Sequence, residues 1–139
     1  METCNMGMCD YEATKDYANT VQGFHGHNKL RVTKIEKNYA ECEVELTSEG
    51  LNPAGMAHGG LIFSLCDLAA QLAVCSDVNK GSTTLSANIN HLRPGTGKFL
   101  RAVGIPVRIG SKIAVSEATV YDDRDRVVAK GTYTFFFLS

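Results

Sequence analysis

One carboxylate, Asp67, stands inside an otherwise uncharged run, MAHGGLIFSLCDLAAQLAVCS, from Met56 to Ser76. Nothing else in the run carries a formal charge unless His58 is protonated. After His58-Gly59-Gly60 the run is apolar at every helical phase, as in a helix buried in a core rather than laid on a surface. An ionised carboxylate in such a place costs several kcal/mol unless it is paired, hydrogen-bonded or protonated. Buried, perturbed carboxylates cluster at functional sites. The bland alternative is an Asp that caps a neighbouring backbone.

The start of the same helix offers a different function. Its first N–H groups have no partner within the helix, and the helix dipole is positive there, which suits a developing oxyanion. Gly59 and Gly60 carry no side chain, so a carbonyl can approach the backbone closely. Two glycines would also let the helix pack tightly on a sheet. Asp67 lies eight residues beyond Gly59, about 12 Å along a helix. The two therefore do not serve one oxyanion site within a single chain.

These residues need a scaffold, and 139 residues suffice for one domain with a real core. The reading is a disordered segment over 1–9 and a single domain over 10–139. Hydrophobic residues at 44% and charged residues at 21% are ordinary for a globular protein. A net charge of −1 gives no basic excess for nucleic acid, so any anionic ligand must be met by local charges. Five cysteines without regular spacing argue against a disulfide framework. Cys4 and Cys9 lack a second pair to complete a zinc site, and Cys66 and Cys75 fit as small core residues. No metal is expected. The N-terminus does not read as a signal peptide, and the apolar run is short for a membrane span. A cytoplasmic protein without a membrane partner is expected.

Pattern and turn chemistry give the element order. Residues 10–24 read as a short helix capped by Asp10, with Tyr11, Ala18, Val21 and Phe24 as apolar contacts. Strands are expected over 29–36 and 39–47, joined by a turn at Lys37-Asn38. Glu41, Glu43 and Glu45 alternate with Cys42, Val44 and Leu46, giving one wet and one dry face. A Gly, Pro and Asn-rich loop over 48–57 leads into the buried helix, which runs to about 77. Strands follow over 82–92, 98–109, 112–121 and 126–137, separated by turn-forming residues. Hairpin-length links among them imply antiparallel pairing. The fold class is α+β, a six-stranded antiparallel sheet curled around one long helix.

Several motifs then carry a family resemblance. Asn52-Pro53-x-Gly55-x-x-His58-Gly59-Gly60, followed by Phe63, Leu65 and Asp67, resembles the hotdog-fold acyl-CoA thioesterases, and most closely the PaaI-like branch named for phenylacetic acid degradation. That family has an Asn in the loop, His-Gly-Gly at the helix start and an Asp nine residues after the His. Ser86-Ala87-Asn88-Ile89-Asn90-His91-Leu92-Arg93-Pro94-Gly95 is similar to the family's third strand and its exit turn. Val107-Arg108-Ile109-Gly110-Ser111-Lys112 and Val127-Val128-Ala129-Lys130-Gly131 are similar to its closing strands. The likeness runs from about Phe24 to the C-terminus.

The resemblance implies a hotdog fold and hydrolysis of an acyl- or aryl-CoA to free acid and coenzyme A, with the thioester as substrate and no cofactor. It implies a homo-oligomer, a dimer or a homotetrameric dimer of dimers, whose active sites are shared between subunits. Gly59 would bind the thioester oxygen, and Asp67 would act from the other chain as nucleophile or general base. Asn52 would orient water or the carboxylate, although an Asn before Pro is also an ordinary turn residue. His58 either shapes the oxyanion site or bonds within the loop. Thr84 occupies the place of a hydroxyl near the acid, with Thr83 and Ser86 close enough to replace it, or is a plain strand threonine.

Coenzyme A phosphates need cations and free N–H groups, for which Arg93, Arg108, Lys112 and the Gly110-Ser111 backbone are candidates. Each of these charges is also an ordinary solvated residue. Gly60 and Phe63 complete the substrate-binding set, with Leu61, Leu65 and Leu68 as further groove or core residues. Rival readings are an acyl-CoA-binding hotdog module without turnover and a hotdog hydratase or dehydratase.

Overall fold

The computed structural model describes residues 10–20, 23–76, 78 and 80–138. The expectations for 1–9, for Cys4 and Cys9, and for Val21 lie outside the described residues. Helix α1 (Tyr11–Thr20) begins where Asp10 Oδ1 accepts the Ala13 N–H at 3.0 Å, the expected cap. The helix expected over 10–24 is two pieces. The first ends at Thr20; Gly23 takes φ +95°, outside helical geometry, and a separate turn, α2 (Phe24–His27), follows. Phe24 is 59% exposed and does not make the apolar contact expected of it.

Strand β1 (Leu30–Glu36) pairs with β2 (Tyr39–Glu45) across a turn in which Asn38 takes φ +56°. The outer edge of β1 is covered by α1: Asn19 donates to the Val32 carbonyl at 2.8 Å and accepts the Val32 N–H at 2.7 Å. One amide side chain thus supplies both bonds that a further strand would supply. Beyond a short 3₁₀ turn (Ser48–Gly50) comes α3 (Gly59–Cys75), then β3 (Ser82–His91), β4 (Phe99–Ile109), β5 (Ile113–Asp122) and β6 (Val127–Phe137). They form one antiparallel sheet in the order β1-β2-β4-β5-β6-β3.

Period-two alternation sends Cys42, Val44, Leu100, Ala102, Ala118, Val120, Tyr133 and Phe135 inward, where they close on α3. The helix meets all six strands. Leu65 and Leu72 are fully buried, each stabilising by about 1.5–3 kcal/mol relative to an exposed side chain. The closest approach is at Gly104 of β4, where any Cβ would collide with the Ala69 carbonyl of α3. Glycine there sets how deeply the helix sits.

Two features depart from the sequence pattern. The helix is not covered all round: Phe63, Ser64, Asp67 and Gln71 form a stripe that the sheet leaves open or half-open. Spacings of three and four residues put them on one face. β3, read as an ordinary strand, is exposed along nearly its whole length and stands at the sheet edge. It runs beside the open stripe, Ser82 next to Gln71, Thr84 next to Asp67 and His91 next to Gly59.

Candidate active site

The loop before α3 is shaped by its own polar groups. Asn52 Oδ1 accepts the N–H groups of Ala54 at 3.0 Å and Met56 at 3.1 Å. The backbone closes the same loop through Asn52 N–H to Met56 O and Gly55 N–H to Asn52 O. The Asn52 carbonyl oxygen is therefore committed to folding the loop, and the side-chain NH₂ is what remains to meet a ligand.

His58 is the N-cap of α3. Its Nδ1 accepts the Gly60 N–H at 2.8 Å, and its backbone oxygen accepts from Leu61 and Ile62 at 3.0 and 3.2 Å. Of the two roles open to His58 in the sequence, the geometry shows the helix-start bond. The Gly59 N–H alone in this turn has no partner among the described residues. Gly59 is exposed, and a Cβ there would make only ordinary contacts, 3.6 Å to the nearest atom. The fold does not require glycine at this position. Gly60 differs: its N–H is bonded to His58, so it does not add a second free donor.

Asp67 sits two turns further along the open stripe. Its Oδ1 accepts the Thr84 hydroxyl at 2.7 Å, so Thr84, rather than Thr83 or Ser86, meets the acid. Burial pushes the Asp67 carboxyl above the usual carboxylate range, against the Thr84 hydrogen bond and the nearby His25, which favour the ionised form. Burial in turn holds His25 below its ordinary value, with Asp67 acting in the opposite direction. His25 carries no signal in the sequence, since α2 has no pattern tying it to residue 67.

Phe63, 37% exposed, lies on the stripe between Gly59 and Asp67, its ring 5.3 Å from that of Tyr133. The Tyr133 hydroxyl donates to the Phe63 carbonyl at 2.8 Å and fixes this part of the helix. Leu65 and Leu68 are core residues, and Leu61 borders a separate cavity of about 240 Å³ beside Asn28 and Glu49.

A cavity of about 380 Å³ at the start of α3 is lined by Asn52, Gly59, Ile62, His91 and Arg93 among others. The structure thus brings Arg93 to Gly59. Arg108, at the end of β4, and Gly110, Ser111 and Lys112, in the β4–β5 turn, fall elsewhere; there Gly110 N–H bonds the Ile113 carbonyl and Phe137 N–H bonds that of Lys112. This turn lies at the end of the sheet that holds Ser82 and Thr83, through β6. Arg93, Arg108 and Lys112 have no ion-pair partner among the described residues. Among those residues no group of three His, Cys, Asp or Glu is placed to hold a metal ion. No described helix is long and apolar enough to cross a membrane.

The family model described as "Thioesterase superfamily" matches residues 54–129, more than half of the chain and the whole stretch from the helix start through β6's first strand pairs. The chain belongs to the thioesterase superfamily. A protein of Archaeoglobus fulgidus that carries a provisional esterase name is 32% identical over 87% of this chain and 80% of its own length. The structure of smu.793 from Streptococcus mutans, bound to acetyl-CoA, has 30% identity and a TM-score of 0.77, covering 86% of this chain and 94% of that one. The Escherichia coli PaaI protein, from the phenylacetic acid degradation operon, shares the fold at a TM-score of 0.81 with 22% identity, covering 91% of each chain.

The expected hotdog fold is the fold of this thioesterase, and the chain is a thioester hydrolase. Family membership gives the separation of Gly59 and Asp67 its importance. One thioesterase chain holds a free N–H at one end of an open stripe and a perturbed carboxylate about 12 Å away at the other. Sequence reasoning missed His91 as well as His25. His91 stood in the segment similar to the family's third strand, seven residues after Thr84, and that place assigns it no role until the strand is laid along α3.

Proposed function

We propose that this thioesterase hydrolyses an acyl- or aryl-CoA, with Gly59 of one subunit and Asp67 of another completing each site. The observation that carries the reading is the Gly59 N–H, unpartnered among the described residues in a turn whose other donors are engaged. A thioester carbonyl seated there would be polarised by that N–H and by the helix dipole. Asp67 takes a proton from water, the hydroxide adds to the carbonyl carbon, and the oxyanion forms at Gly59. Collapse breaks the carbon–sulfur bond, releases the acid and returns the proton to the coenzyme A thiolate. Direct attack by the Asp67 carboxylate, with water opening the resulting anhydride, uses the same atoms.

Sharing between subunits is supported by the open stripe on α3 and by the bare β3 edge beside it, since a second copy laid there would cover both. It requires at least a dimer, and a dimer of dimers is compatible with it. Thr84 holds the Asp67 carboxylate and Asn52 directs its NH₂ at the bound thioester or water. Phe63 walls the acyl groove, and Gly60 keeps its mouth open. Arg93, Arg108, Lys112 and the Ser111 N–H receive the coenzyme A phosphates, and Gly110, whose N–H is bonded to the Ile113 carbonyl, shapes the turn that presents them. The PaaI-like branch makes an aryl-acetyl group a natural acyl portion, and a cytoplasmic setting fits a coenzyme A substrate.

Thiol release from phenylacetyl-, benzoyl-, acetyl-, hexanoyl- and palmitoyl-CoA tests the activity, with Asp67→Asn alongside. Turnover on none of them, with saturable binding to one, would replace this reading with an acyl-CoA-binding module. Mixing tests the sharing. Gly59→Ala and Asp67→Asn chains, each inactive alone, regain about a quarter of wild-type activity when unfolded and reassembled together, because each mixed dimer holds one intact site. No recovery places both groups in one chain's site.

A further inference from the structure

We propose that His91 is a further catalytic residue of the Gly59 site, its imidazole N–H donating to the same thioester oxygen that the Gly59 N–H holds. The inference rests on the acyl-CoA reading above and adds to it a side-chain donor that flanks Gly59 itself.

The shortage of donors is visible in the first turn of α3. Gly60 N–H goes to His58 Nδ1, and the N–H groups of Leu61 and Ile62 go to the His58 carbonyl. Only Gly59 is left. A tetrahedral oxyanion has three lone pairs, and sites of this kind commonly aim more than one donor at it. The second must come from a side chain.

His91 is the side chain in position. A Cβ built on Gly59 would lie 3.6 Å from His91 Cε1 and 3.7 Å from Nε2. The Cε1–Nε2 edge of the ring therefore flanks the space that the missing Cβ leaves for a carbonyl. Neither ring nitrogen has a hydrogen-bond partner among the described residues. The neutral tautomer with its proton on Nε2 presents a donor to that space. The backbone beneath the ring is fixed. His91 pairs with Ala129 in the β3–β6 ladder, and the next two N–H groups, of Leu92 and Arg93, both bond the Val128 carbonyl at 2.7 and 3.1 Å. A donor held on a strand costs little to position when charge develops. Two other polar side chains line this cavity, Asn52 and Arg93. The first is held in its loop by its Oδ1 and keeps its NH₂ for the thioester or water, as assigned above, and the second is a long exposed cation suited to phosphate.

The test compares His91→Leu with His91→Gln in the full chain, on the acyl-CoA that the wild type hydrolyses best. The two replacements are close in size, and only Gln retains an N–H donor. His91 is exposed, so both are expected to fold and assemble, as melting and sedimentation check. The expected result is a kcat lowered about 10²-fold in His91→Leu with KM nearly unchanged, and a kcat in His91→Gln within about tenfold of wild type. Equal kcat in the two variants overturns the inference, as does a loss confined to KM, which would make His91 a ground-state contact. Wild-type turnover that Asp67→Asn abolishes and His91→Leu leaves intact overturns this inference alone. A wild type that hydrolyses no thioester overturns the reading of the site and the inference with it.

Discussion

Asp122, buried at the β5–β6 turn, and Asp67, half-buried on the open stripe of α3, are carboxylates whose surroundings act on them in opposite directions. Asp122, at the β5–β6 turn, is 1% exposed. Its Oδ1 accepts the N–H groups of Arg124 at 3.0 Å and Arg126 at 2.9 Å, and its Oδ2 accepts Arg126 Nε at 2.8 Å. Burial alone would raise its pKa, but the Arg126 and Arg124 backbone bonds and the Arg126 guanidinium outweigh it and hold the carboxyl below the usual range. Among the described residues Asp67 receives one hydroxyl, from Thr84, and no cation bonds it, so burial wins and its pKa rises. Burial by itself does not decide the charge state. The number and kind of donors do, and a carboxylate short of donors keeps lone pairs for chemistry.

The largest expected effect is on activity at Asp67. Asp67→Asn lowers kcat by about 10²-fold or more, the range for loss of a general base, with the oligomer intact by sedimentation. Near-wild-type turnover would erase the contrast between the two acids. Next comes stability at the other carboxylate. Asp122→Ala strands two N–H groups and a guanidinium and lowers unfolding free energy by about 2–4 kcal/mol in denaturant titration. Activity per folded molecule stays as in the wild type.

The pH dependence separates the acids by sign. Asp122, with its depressed pKa, stabilises the fold above the unfolded carboxylate value of about 3.9, and that contribution is lost only as pH falls through its lower folded value. Asp67, with its raised pKa, costs stability when ionised, and that cost disappears as pH falls. Hydrolysis therefore declines on the acid side at a pH above the usual carboxylate range, while the fold still stands. Thr84→Val removes a bond that favours the ionised form. It should move this acid limb of the kcat/KM profile to higher pH, and an unmoved limb would mean that another group titrates. The smallest effect is thermal. Asp67→Asn should melt a few degrees higher at pH 7 than the wild type, because a poorly solvated charge is gone. An unchanged or lower Tm would show that Asp67 is as well satisfied as Asp122.

Much of this contrast was legible beforehand. Asp67 stood out because a single charge in a run of apolar residues costs free energy unless it is satisfied, and the spacing of Asn52, His58, Gly59 and Asp67 carried the family. The six strands were read from alternation and turn chemistry, which act over a few residues. The helix expected over 10–24 is divided, α1 running to Thr20 and a separate turn beginning after Gly23 with its positive φ, and an isolated glycine in a helical pattern does not announce its dihedral. The open stripe on α3 was missed because apolar composition does not say which face meets the sheet. Asp122 went unremarked as one of several aspartates in a turn, since its three donors exist only once that turn has closed. His25 and His91 were missed for the same reason in a longer-range form.

The sequence by itself determined the local periods, the turns and the family, because steric and hydrophobic preferences repeat over two to four residues and a motif preserves them. Only the tertiary structure decided which N–H stays free, which face of α3 stays open, that His91 lies against Gly59, and that His25 is near enough to act on the Asp67 charge. Those choices bring together residues 32 and 42 positions apart, and no local preference encodes such a meeting.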